Sequence, residues 1–235
     1  MLNSNKAFTL AEVLITLGII GVVAALTIPT LMQKTEDRQA VTGLKTAYSM
    51  LSQAYQRAVN DNGEPSTWGI VDAESEYNAF APYLRFTKVC GGATGCFPKI
   101  YMLSGVLAGD IDTATHYKAI LSNGMLIAFF SFPTYACNHN IGQGSLQNVC
   151  GFIHIDINGQ KKPNVWGKDY FQFILTTSGI VPDGSSIQTS GDTFDTACKT
   201  GNGYGCAAWV IQNENRDYLK SCKSSLSWTG NTKCD

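Results

Sequence analysis

A run without a single charged side chain, from residue 13 to residue 32, is the strongest constraint in this 235-residue chain. Twenty helical residues span about 30 Å, enough to cross the hydrocarbon core of a bilayer. Glu12 stands immediately before the run, with Lys6 upstream and Lys34 beyond. An acid near the front of such a helix is costly: about 2.5–3.5 kcal/mol for Asp or Lys at mid-bilayer, and less toward an end. A partner for that charge is therefore expected. The nearest candidate is a free amino group created by cutting the chain just before Phe8.

Lys6, Ala7, Phe8, Thr9, Leu10 and Glu12, followed by the apolar run, resemble the N-terminal signal of type IV pilins and type II secretion pseudopilins. The resemblance covers residues 6–33 and implies a leader at 1–7, removed by a prepilin peptidase that cuts between Ala7 and Phe8 and methylates the new Phe8 amine. It also implies that Glu12 pairs with the amine of a neighbouring copy, and that Pro29 bends or loosens the helix. Ala7 departs from the glycine usual before the cut, but it is small enough for processing to be expected.

Two other readings of the segment exist. An ordinary secretory signal cut after Val23, Ala24 and Ala25 would bury Glu12 in its apolar core and leave the run continuing past the cut. A permanent, unprocessed anchor leaves Glu12 equally unexplained. Gly18, Gly21 and Ala25 make a strip of small residues that suits close helix approach in lipid, although such residues are common in membrane helices anyway.

Beyond Met32 the pattern turns amphipathic. Val41, Leu44, Tyr48, Leu51, Tyr55 and Ala58 recur at three- and four-residue steps, predicting a helical stripe packed on a globular head. Asn62, Gly63 and Pro65 supply the stop. The expected organisation is a leader (1–7), a membrane or filament-core helix (8–33), its amphipathic continuation (34–62) and a head (63–235).

Seventeen basic and eighteen acidic residues nearly cancel, so nucleic acid is not expected as a partner. The eight cysteines, Cys90, Cys96, Cys137, Cys150, Cys198, Cys206, Cys222 and Cys234, all follow the apolar segment, and none has metal-knuckle spacing. An even count there predicts disulfides in an oxidising compartment, hence a head outside the cytoplasmic membrane. Eight cysteines allow roughly a hundred pairings, and sequence-local ones are expected: 90 with 96, 137 with 150, 198 with 206, and 222 with 234.

In the head, residues 73–86 read as a short helix. Segments 117–121 and 125–132 flank Ser122, Asn123 and Gly124 as a hairpin. Segment 152–157 ends in the turn Asn158-Gly159, with 170–176 returning, and 206–213 reads as a further strand. The fold class expected is α+β: a long N-terminal helix packed on an antiparallel sheet, a disulfide-stapled roll like a pilin head.

Catalytic motifs are lacking: no Gly-x-Ser-x-Gly, no His-Glu-x-x-His and no phosphate loop. His116, His139 and His154 are scattered, and His154 with Asp156 reads as a solvent-facing pair on a strand. Asp156, Asn158 and Asp169 offer hard oxygen donors, and some pseudopilins hold calcium in such a loop. Side-chain capping of a tight turn is the favoured explanation, so no cofactor is expected. The function implied is a structural subunit, major or minor, of a type IV pilus or secretion filament, and not an enzyme. Its partners would be the peptidase, other pilin-like subunits including copies of itself, the inner-membrane assembly machinery and, before assembly, the lipid bilayer. The rival is a single-pass anchored binding protein or enzyme whose head acts alone.

Overall fold

The computed structural model describes residues 9–109, 111–131 and 136–234; Lys6, Ala7 and Phe8, with the proposed cut, lie outside the described residues, as does residue 132 at the end of the expected strand 125–132. Helix α1 is Leu10–Asn62, with Pro29 inside it. The chain divides into two compact units, residues 1–39 and 40–235.

In the first unit the side chains of the apolar run are uncovered. Leu14, Ile15, Leu17, Ile19, Ile20 and Leu26 are all more than half exposed. Two of the three threonines in the run bond back to the helix: Thr16 Oγ1 donates to the Val13 carbonyl at 3.0 Å and Thr27 Oγ1 to the Val23 carbonyl at 2.9 Å. That habit suits a helix in lipid, where a free hydroxyl would have no water.

The second unit begins where α1 acquires a buried face. Leu44, Ala47, Leu51, Ala54, Tyr55 and Ala58 are buried, with Val41 and Tyr48 packed beside them. Ala47 and Ala54 widen the stripe read from the sequence and let the helix lie close to the sheet. Tyr48 stacks on Phe173 at 5.9 Å, and Tyr55 Oη donates to the Thr177 carbonyl. At the helix end Gly63 takes φ +77° and donates to the Val59 carbonyl at 2.9 Å, a left-handed cap that a side chain would strain.

The sheet is a six-stranded antiparallel meander in sequence order. Its strands are β1 (Phe86–Gly91), β2 (Tyr117–Leu121), β3 (Leu126–Phe130), β4 (Val149–Asp156), β5 (Tyr170–Thr176) and β6 (Gly179–Pro182). Period-two alternation sends Ala119, Leu121, Ile127, Phe129, Ile153, Phe171 and Phe173 into the core shared with α1. On the other face Leu126, Ala128 and Tyr170 pack with Phe97, Ile100, Ile111 and Trp166 from covering loops. From β3 to β5 both faces are therefore dry, whereas edge strand β1 is largely exposed. The architecture is α+β, and four sequence-local disulfides staple it: Cys90–Cys96, Cys137–Cys150, Cys198–Cys206 and Cys222–Cys234.

Three sequence expectations change. Helix α2 covers only Ala73–Phe80, started by a reciprocal Asp72–Ser75 capping box. Pro82 then confines the chain to one 3-10 turn before β1 begins at Phe86, so 73–86 is not one helix. Residues expected as a strand at 206–213 are helix α3, Ala207–Asn213. Trp209, Val210 and Ile211 favour strand, but Ala207 and Ala208 favour helix and burial decides. Trp209 stacks on Phe194 with centroids 4.0 Å apart and lies 5.1 Å from Trp228, an arrangement set by the disulfide-rich tail. Finally, His154 and Asp156 share a face as expected, yet both are buried, because loops cover what reads as an outer surface.

Glu76 on α2 is wholly buried, and the Phe130 backbone is the one group that favours its charged form. Burial outweighs that pull and pushes its pKa well up. The carboxyl occupies a notch left by Gly151 on β4, where an added Cβ would sit 2.6 Å from Glu76 Oε2. Gly151→Ala should therefore destabilise the head by about 1–3 kcal/mol. The loss, read from chemical unfolding, should shrink when Glu76→Ala is combined with it.

Candidate functional site

The residues that carry chemistry fall into two groups. One is the start of α1. Thr9 N–H and Thr9 Oγ1 both donate to Glu12 Oε2 at 2.9 Å, and Glu12 N–H donates to Thr9 Oγ1 at 3.2 Å. This is a reciprocal capping box, and the negative carboxylate also faces the positive end of the helix dipole. Thr-x-x-Glu was visible in the sequence as a helix-start signal, and the reading above missed it. Glu12 is therefore not without a local partner, and the cost assigned to it is partly offset within its own chain. Both donors converge on Oε2, and Oε1 has no protein partner among the described residues. Beside this cap, Gly18 and Gly21 have nothing within 4 Å of where a Cβ would lie, so the small-residue strip is open.

The second group is a buried polar layer on the outer face of the sheet. Asp156, Asn158 and Asp169 are brought together. Asp156 Oδ1 accepts from Asn158 N–H at 3.1 Å, and Asn158 Nδ2 donates to Asp169 Oδ2 at 2.9 Å. Asp169 also takes the backbone N–H groups of Asn164 at 2.8 Å and Val165 at 2.6 Å. With its carboxamide turned to donate, Asn164 reaches the Lys161 carbonyl at 2.9 Å and Asp156 Oδ2 at 3.2 Å. N–H donors thus fill the directions from which a cation would be approached. Among the described residues no group of three or more His, Cys, Asp or Glu is placed to hold a metal.

Burial, followed by the neighbouring Asp169 charge, pushes Asp156 up to about 8. Burial also raises Asp169, against the pull of its N–H donors. From this layer a hydrogen-bond chain crosses the sheet: His154 Nε2 meets Gln172 Oε1 at 2.8 Å, and Gln172 Nε2 donates to Asp183 Oδ2 at 3.1 Å. Asp183 is buried and raised to about 7, with Gly184 and Gly205 N–H groups bonded to it. Burial, aided by His116, depresses His154 to about 3, leaving a neutral ring. Gln172 and Asp183 carried no sequence signal, because only the strand register sets them beside His154.

Residues 2–28 match the prokaryotic N-terminal methylation motif, the signature of type IV pilins and pseudopilins. The chain is thus pilin-like at its N-terminus, where an apolar helix long enough to cross a membrane fits membrane anchoring. Residues 30–88 match a family of unknown function, DUF6613. No curated protein and no solved structure matches the chain.

The shifted acids give stability a pH dependence of definite sign. A carboxyl raised on folding binds more protons folded than unfolded, so its contribution is lost as pH climbs to the folded value. Asp183 acts up to about pH 7 and Asp156 up to about pH 8. His154 gives the opposite slope, but only below its ordinary value of 6.5. The head's melting midpoint should therefore fall between pH 6.5 and 8.5, by the equivalent of on the order of 1–3 kcal/mol. Asp156→Asn should flatten the upper part of that decline in a thermal-melt series.

Proposed function

We propose that this chain is a structural subunit of a type IV pilus or type II secretion filament, assembled through its N-terminal helix. The observation that carries the reading is the capped Glu12 at the head of an uncovered apolar helix, within the stretch matching the methylation motif. Prepilin peptidase cuts between Ala7 and Phe8 and methylates Phe8. The subunit waits in the inner membrane with its head outside, and the assembly machinery then lifts it into the filament. Helices leave lipid for one another, so apolar burial is exchanged rather than gained and gives little register. Register comes from charge: Glu12 Oε1 meets the Phe8 amine of a neighbour while Oε2 keeps its contact with Thr9. A misplaced subunit leaves a carboxylate and an ammonium unpaired at low dielectric. Pro29, which lacks the N–H that would bond the Ala25 carbonyl, loosens the helix for packing in a filament core.

The mature N-terminus tests this directly. Mass spectrometry should find methylated Phe8; an intact Met1, or a start at Leu26, would support the anchored rival. Glu12→Val should be processed and membrane-inserted normally, with incorporation into sheared filaments falling at least about tenfold. Thr9→Ala removes the cap at about 1 kcal/mol but keeps the carboxylate, and it should still assemble. Full incorporation of Glu12→Val would refute the pairing.

The turn holding Asp156, Asn158 and Asp169 is proposed to work without calcium, its side chains serving as caps. A bound cation at a hundredfold excess over its Kd would add about 2.7 kcal/mol, or about 5–10 °C of midpoint. Calcium and chelator should instead give the same melting curve, and a rise with calcium would assign the site to a metal.

A further inference from the structure

We propose that a groove along residues 42–57 of α1 is a docking site for a second copy of this chain, filled by the neighbour's acidic segment 61–74. The inference deepens the filament reading and rests on it for the supply of adjacent copies.

The groove holds about 620 Å³ and runs between α1 and the segment that leads into β1. Apolar Met50 and Leu84 line it together with Ser49, Tyr83 and Ser122. Three cationic side chains line it, Lys45, Arg57 and Arg85, and no carboxylate does. Lys45 is already paired with Glu214. Arg57 and Arg85 are exposed, and no ion pair joins them to any acid among the described residues. The acid nearest in sequence to Arg57, Asp61, gives its Oδ2 to the Tyr83 hydroxyl at 2.9 Å. A chain with a net charge of −1 thus concentrates two uncompensated guanidinium groups in one concave strip.

The complementary surface is on the same chain. Residues 58–84, between the two groove arginines, contain five acids (Asp61, Glu64, Asp72, Glu74 and Glu76) and no Lys or Arg. Glu76 is buried and Asp72 caps α2, but Glu64 and Glu74 are exposed and have no partner among the described residues. Val71, 52% exposed, offers an apolar contact between them for the groove lining. Two cations are too few to hold a nucleic-acid backbone, where six to ten phosphate contacts are typical of tight binders. They suit a short acidic peptide segment. Because groove and acidic segment are different patches of one molecule, their contact is head-to-tail and propagates along an array instead of closing a dimer. Opposed charges of this kind steer approach and fix register more than they add raw affinity.

Photo-crosslinking in the full-length chain tests the proposal. A benzoyl-bearing phenylalanine analogue is placed at Ser49, or separately at Ser122, and light- and heavy-isotope copies are expressed together in their membrane. Trypsin has no site between Arg57 and Arg85, so the whole acidic segment is released as one peptide, 58–85. Mixed-isotope products joined to that peptide are expected. They should fall about tenfold or more in the Glu64→Gln, Glu74→Gln double variant, and equally in the Arg57→Gln, Arg85→Gln double variant, where the crosslinker is placed at Ser122 and the peptide counted is 46–88, because both bounding trypsin sites are gone. All four positions are exposed, and unchanged melting midpoints confirm that folding is intact. Capture of any other peptide, absence of intermolecular product, or indifference to both double variants would overturn the proposal. Sequencing the mature N-terminus in the same samples separates the two claims. Methylated Phe8 without the crosslink leaves the filament reading standing and removes this one; the crosslink with Met1 retained does the reverse.

Discussion

The rest of the structure depends on an apolar surface that the protein does not cover. Leu14, Ile15, Ile19, Ile20 and Leu26 point away from any protein neighbour, whereas Leu44, Leu51 and Ala58 of the same helix are wholly buried against a sheet. At about 25 cal/mol per Å² of apolar area, leaving the first set in water would cost far more than a domain's net stability. Lipid or other apolar helices must therefore surround it. The head is built differently: four disulfides, central strands buried on both faces and a capped helix end complete its own core. Anchor and head answer to different solvents.

Glu12 opens the anchor. Its capping box with Thr9 lowers the penalty of carrying a charge beside a membrane-length run and fixes where the helix begins. The arrangement engages one oxygen, and the other has no partner among the described residues. A residue that reads in the sequence as an unexplained expense is thus a helix-start device with remaining capacity for one donor. The buried layer around Asp156, Asp183 and His154 follows a similar economy. Each polar group is dry and most are answered by a neighbour, so the charged forms are suppressed and the second face of the sheet becomes core.

Periodicity made several elements legible, and the reasons are local. The step pattern from Val41 to Ala58 fixed the packed face of α1, Gly63 marked its end, and the turns at Ser122-Asn123-Gly124 and Asn158-Gly159 placed β2 and β5 at the residues expected. The errors arose where local preference met tertiary demand. Trp209, Val210 and Ile211 favour a strand by propensity, yet stacking on Phe194 and Trp228 selects a helix. Residues 73–86 look continuous until Pro82 forces a turn. His154 and Asp156 alternate as a surface pair would, and only the loops arching over the sheet reveal them as buried.

The sequence by itself determined the membrane-length helix, the methylation motif, the two-part plan and an oxidised head, because charge absence, helical period and cysteine count are written in consecutive residues. Only the tertiary structure decided that the outer face of the sheet is covered as well, that Glu76 occupies the notch of Gly151, and that His154, Gln172 and Asp183 form one chain. It also brought Arg57 and Arg85 into the lining of one groove. Those facts join residues far apart in the chain, and the energy that fixes them is burial against a surface no local window contains.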